Sequence, residues 1–105
     1  MPGIFTIQCI ETENNYIGQA DQESVALEIV EKRLQEGKFW NSSLQDEWNE
    51  YGKEAFEMGC PVHFDKDEEN IELQIKEEIE EWMDILENVE YLGKIDEVTG
   101  DRIDG

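Results

Sequence analysis

Residues 3–18 read Gly3-Ile4-Phe5-Thr6-Ile7-Gln8-Cys9-Ile10-Glu11-Thr12-Glu13-Asn14-Asn15-Tyr16-Ile17-Gly18, and this stretch decides the fold. Over positions 4–10 β-branched and aromatic side chains dominate, which is the composition of a strand. Glu13-Asn14-Asn15 supplies turn chemistry, because short Asx side chains tolerate a left-handed backbone and bond their own main chain. Tyr16-Ile17-Gly18 then resumes the extended pattern. The first eighteen residues therefore predict a β-hairpin.

From Asp21 the apolar spacing changes. Val25, Ala26, Ile29, Val30 and Leu34 recur at helical intervals, Asp21 is placed to cap the start, and Gly37 stands where a helix ends, so a first helix is predicted over 22–36. Ser42 and Ser43 offer N-caps for a short second helix carrying Leu44, Trp48 and Tyr51, with Gln45 and Asp46 placed for a capping box and Gly52 as the stop. Phe56 to Phe64 reads as a strand in which Gly59 or Pro61 marks a bulge or an edge. A third helix is predicted from Asp67 onward, since Ile71, Ile75, Ile79, Trp82, Met83 and Leu86 fall on one stripe and the opposite face is acidic. The 93–105 segment is predicted to be a short hairpin or a loose tail. With no repeat or linker, residues 1–105 read as a single domain.

Composition narrows the function. Of 105 residues, 8 are Lys or Arg and 28 are Asp or Glu, a formal net charge of −20. Direct binding of nucleic acid is not expected, because phosphates must be neutralised by cations. An anionic membrane surface would be repelled and a basic partner attracted. No apolar run approaches the roughly 18 residues of a membrane span, and the N-terminus lacks the basic and apolar regions of a secretory signal. A cytoplasmic setting is the expectation, the cytoplasm of the host cell if the chain is viral. Cys9 and Cys60 are too few to staple a chain of this size and are expected to be free thiols.

Gly3-Ile4-Phe5, Tyr16-Ile17-Gly18, a helix, Gly37-Lys38-Phe39-Trp40-Asn41, Leu44-Gln45-Asp46-Glu47-Trp48, Tyr51-Gly52 and Phe56 follow one another in the order and spacing of the GIY-YIG nuclease domain, which the chain resembles over roughly residues 3–86. The resemblance implies a small α+β fold, a three-stranded antiparallel sheet flanked by helices. It also implies phosphodiester cleavage with one divalent metal. In that chemistry a base activates water, a cation stabilises the phosphorane and a carboxylate holds the metal.

Residue by residue, the sequence departs from that pattern. Phe5 replaces the first motif tyrosine, and Tyr16 is retained. The spacing puts Ala26 where the resemblance expects an arginine, Val30 where it expects a histidine or tyrosine, and Ile79 where it expects the metal-binding glutamate. A one-residue slip would bring in Glu78 or Glu80, with Glu77 also near. Periodicity opposes it, because Ile79 shares the stripe of Ile75, Trp82 and Leu86. The expectation is a retained fold without catalysis, with neither cofactor nor metal.

Cys60 and His63, with Asp65, suggest a metal site, but a structural zinc wants four ligands at set spacings, so a packed or exposed histidine is the simpler expectation. Phe39, Trp40 and Trp48 lack the cations of a base-stacking platform. The acidic surface remains. On the third helix, carboxylates three or four residues apart stand about 5 to 6 Å from each other, close to the charge spacing of a nucleic-acid strand, at a cost of about a few tenths of a kcal/mol per like-charged pair. A high-salt surface would favour Asp, whereas this chain has 20 Glu, 8 Asp and 11 Ile. We therefore expect a nucleic-acid mimic that inhibits a basic nucleic-acid-binding protein, such as a restriction or CRISPR effector. Glu72, Glu77, Glu80, Glu81, Asp84 and Glu87 would carry the charge, with Trp40 as apolar anchor. The alternatives are an acidic adaptor domain and a residual metal-dependent endonuclease using Tyr16 with Glu77, Glu78 or Glu80. Oligomeric state stays open.

Overall fold

The computed structural model describes residues 2–65 and 69–103. The opening hairpin is formed by β1, Gly3–Cys9, and β2, Asn15–Ala20, paired antiparallel with Phe5 opposite Gly18 and Ile7 opposite Tyr16. Glu13, at φ 63°, takes the left-handed backbone that reverses the chain. Helices α1, Glu23–Glu36, and α2, Ser42–Tyr51, follow; then β3, Phe56–His63, α3, Ile71–Ile85, and β4, Val89–Lys94.

The caps differ from expectation in detail. Helix α1 is preceded by Gln22 without a side-chain cap, so Asp21 does not serve; it pairs instead with Lys94 at 3.2 Å. Helix α2 is capped by Asn41, one residue before Ser42 and two before Ser43: its Oδ1 accepts from Leu44 N at 3.0 Å. That leaves Ser43 for another bond, described below. The predicted capping box does not form either, because Gln45 is buried, accepting from Phe39 N and donating to Leu34 O. Gly37 ends α1 at φ 73°, a conformation that costs a residue without Cβ little. Asp67, the predicted start of the third helix, lies outside the described residues, as do 104 and 105 of the C-terminal segment.

The sheet corrects the sequence expectation. It has four strands in the order β3-β1-β2-β4, and it is mixed: β1 is antiparallel to both β2 and β3, whereas β4 runs parallel to β2. The reason lies in α3. Strand β3 is one edge and β4 the other, and a parallel return needs a long crossover, so α3 carries the chain across a whole face of the sheet.

Alternation along the strands divides the interior in two. Phe5, Ile7, Tyr16 and Leu92 point to one face and pack with Ala26, Val30 and Leu34 of α1 and Leu44 and Trp48 of α2. Ile4 and Ile17 point to the other and pack with Ile75 and Ile79 of α3, with Ile71, Trp82 and Leu86 at the margin. Met83, predicted on that stripe, is instead 38% exposed. Gly18 allows the close approach on the first face, since a Cβ there would lie 2.6 Å from Phe5 Cε1. After β4 the chain turns back, Ile95 bridging Arg102, and Gly100 seats on Ile29 of α1.

Candidate functional site

Tyr16 stands in the middle of a polar network built by three elements. It projects from β2 toward α2, on which Ser43 and Glu47 are one turn apart and therefore on one face. The β1–β2 turn adds Thr12 and Asn14. The Tyr16 phenol, only 2% exposed, donates to Glu47 Oε1, and its oxygen stands 3.2 Å from Ser43 Oγ. Thr12 Oγ1 donates to Glu47 Oε2, and Asn14 Nδ2 donates to the same oxygen at 3.1 Å.

The two central groups are driven apart in acidity. Burial, and then the bond to Glu47, pushes the Tyr16 phenol far above its ordinary 10.0. For Glu47 burial is the largest influence and would raise its pKa. The bonds from Thr12, Tyr16, Asn14 and the Cys9 thiol together outweigh it and hold the carboxyl below its ordinary 4.5. The buried pair is thus a neutral phenol on a carboxylate, an arrangement that fixes geometry and gives Tyr16 no tendency to lose a proton.

Beside this network lies an open hollow of about 220 Å³, bounded by Asn14 and Asn15, Tyr16, Ser43 and the start of β4 at Glu90. Glu90 in turn accepts from Asn41 Nδ2.

The positions singled out by the resemblance divide between the two faces of the sheet. Phe5, Ala26 and Val30 are each 0% exposed and pack in the cluster that holds Tyr16. Ile79 packs with Ile4 and Ile17 on the other face. Apolar side chains occupy the positions that the resemblance assigns to these groups, and among the described residues no group of three His, Cys, Asp or Glu stands close together. His63 is engaged by Glu23, which lies in the first turn of α1 and is 3% exposed. Burial, then the Glu23 carboxylate, pushes the Cys60 thiol above its ordinary value. Cys9 and Cys60 are free thiols.

Glu72, Glu77, Glu80, Glu81, Asp84 and Glu87 are all exposed. Trp40 is not with them. It sits on the α1–α2 side of the sheet, its ring centroid 5.0 Å from that of Phe39 and its Nε1 donating to Gly100 O at 3.0 Å, so it secures the C-terminal turn. Sequence reading passed over Glu47, Asn14 and Glu90. The signal for Glu47 was present: it follows Leu44 by three residues and so shares the apolar face of α2, where a lone carboxylate needs partners. Glu90 had no such signal, because β4 went unrecognised.

The architecture defines an α+β fold of the GIY-YIG type. Among solved structures, the chain is similar to the catalytic domain of the homing endonuclease I-TevI, with a TM-score of 0.65 and 23% identity over 82% of this chain and 88% of that one. A mutant of the catalytic domain of intron endonuclease I-TevI matches with a TM-score of 0.64 and 22% identity over 81% of this chain and 82% of that one. No family model matches the sequence, and no curated protein matches it significantly. Among the described residues no helix is long and apolar enough to cross a membrane.

Proposed function

We propose that this chain is a non-catalytic acidic protein that occupies the basic groove of a nucleic-acid-binding protein and competes there with the nucleic acid. The observation that carries the reading is the exterior of α3. All six carboxylates singled out on and beside this helix are exposed, Lys76 is the helix's one cation, and among the described residues none of the six is ion-paired. A folded, crossing helix holds these charges in fixed register, whereas a disordered tail would not. The interior supports the same reading: Phe5, Ala26, Val30 and Ile79 fill the positions at which cleavage would need a base, a cation and a metal ligand.

Restriction and CRISPR effectors are the target class we propose, and they supply the assay. Binding to such an effector should fall at least about tenfold between roughly 50 and 200 mM salt, and duplex DNA or guide RNA should displace the protein. Converting Glu77, Glu81 and Asp84 to Lys should abolish inhibition while the circular dichroism spectrum stays unchanged. Binding indifferent to salt would point instead to an adaptor. Cleavage of plasmid in Mg²⁺ or Mn²⁺ that disappears in Tyr16→Phe would overturn the proposal.

A further inference from the structure

We propose that the hollow beside Tyr16 is a guanidinium receptor that takes an arginine side chain of the protein partner; this rests on the reading above and names the group recognised. The argument is an accounting of protons. Asn15 Nδ2 donates to two main-chain carbonyls, Glu13 O at 3.2 Å and Glu87 O at 3.0 Å, so both its amide protons are engaged and its orientation is fixed. Asn14 turns its amide nitrogen to Glu47. The single phenolic proton of Tyr16 is on Glu47, so Ser43 must be the donor in the Ser43–Tyr16 contact. Asn41 donates to one oxygen of Glu90 and leaves the other.

The walls keep some donors, the second amide proton of Asn14 and the side-chain amide of Asn88, but their charge is anionic: the Glu90 carboxylate, with Glu47 behind Tyr16, beside the side-chain carbonyls of Asn14 and Asn15 and the Ser43 oxygen as acceptors. No lysine or arginine lines the space. Charge of that sign, with no cation in the lining, rejects phosphate, and the acceptors suit a cation rich in donors. Guanidinium presents five protons in a rigid plane to dispersed acceptors and is more weakly hydrated than an ammonium, so arginine is favoured over lysine. At about 220 Å³ the hollow has room for the planar group and part of its stem.

The test is a titration of the ¹⁵N-labelled chain with N-acetyl-arginine methylamide, followed by amide shifts. Saturable shifts confined to 14–16, 43 and 88–90 are expected. The citrulline analogue, equal in shape and uncharged, should bind at least about tenfold more weakly, and Glu90→Gln should lose a similar factor with its thermal midpoint unchanged. N-acetyl-arginine, which keeps the guanidinium but ends in a free carboxylate facing a surface of net charge −20, should bind more weakly than the methylamide. Equal binding of citrulline, or shifts spread evenly over the acidic faces, would overturn the receptor. Tighter binding of N-acetyl-arginine would overturn its assignment to a protein side chain. If arginine binds here but DNA never competes with any partner, only the proposed function fails; if competition persists and the hollow stays silent, only this inference does.

Discussion

Tyr16→Phe isolates one hydroxyl without disturbing the packing. The ring of Tyr16 is buried in the first interior cluster, so its apolar contacts survive the substitution. Lost are the bond to the Glu47 carboxylate and the acceptor for Ser43. A bond to a charged group is worth about 1.5 to 3 kcal/mol, and the stranded carboxylate keeps Thr12 and Asn14, so the cost should be about 2 kcal/mol at neutral pH. For a chain of 105 residues, at about 4 °C per kcal/mol, the thermal midpoint should drop by roughly 8 °C. The pH dependence sharpens the test. Glu47 is held below its ordinary 4.5 in the fold, so its contribution to stability is present above that value and is lost as pH falls through the lowered one. Without the phenol its pKa rises and part of that contribution disappears. The gap between the parent and the variant, followed by urea unfolding, should therefore be widest above 4.5 and close below it. A loss under about 0.5 kcal/mol, or a gap that widens in acid, would refute the network.

In a spectrophotometric titration Tyr16 should stay protonated while the fold persists and ionise only as it opens; its raised pKa stabilises the fold fully below 10.0, and that contribution is lost as pH rises beyond. Gly18→Ala should destabilise by about 1 to 3 kcal/mol in urea unfolding, because the new Cβ meets the buried Phe5 ring, and truncating Phe5 in the same chain should remove most of that increment. Asn41→Ala should cost about 1 kcal/mol by removing the α2 cap, whereas Ser42→Ala should cost almost nothing.

Local periodicity made most elements legible. The hairpin, both early helices, the strand from Phe56 and the long stripe of α3 are written in spacings that hydrophobic burial imposes on any chain, and their bounds fall within a few residues of those read. Strand β4 was missed because Val89-Glu90-Tyr91-Leu92 is a short alternation following directly on a helix, and its partner, β2, lies more than seventy residues earlier. The α2 cap lies one or two residues before the expected serines because Asn41, Ser42 and Ser43 are all capping types, and what separates them is Asn41's bond to Leu44 N and Ser43's contact with Tyr16.

The amino-acid sequence by itself determined the charge, the retention of Tyr16, the apolar residues at 5, 26, 30 and 79 and the order of elements as far as α3, since each depends on residue type or on neighbours within a few turns. Only the tertiary structure decided that 79 faces away from the other three, that Trp40 lies across the sheet from the carboxylates of α3, and that Asn14, Asn15, Ser43 and Glu90 wall one hollow. These are matters of which side of a strand meets which helix. A crossover from one edge of the sheet to the other settles them, and no local pattern encodes it.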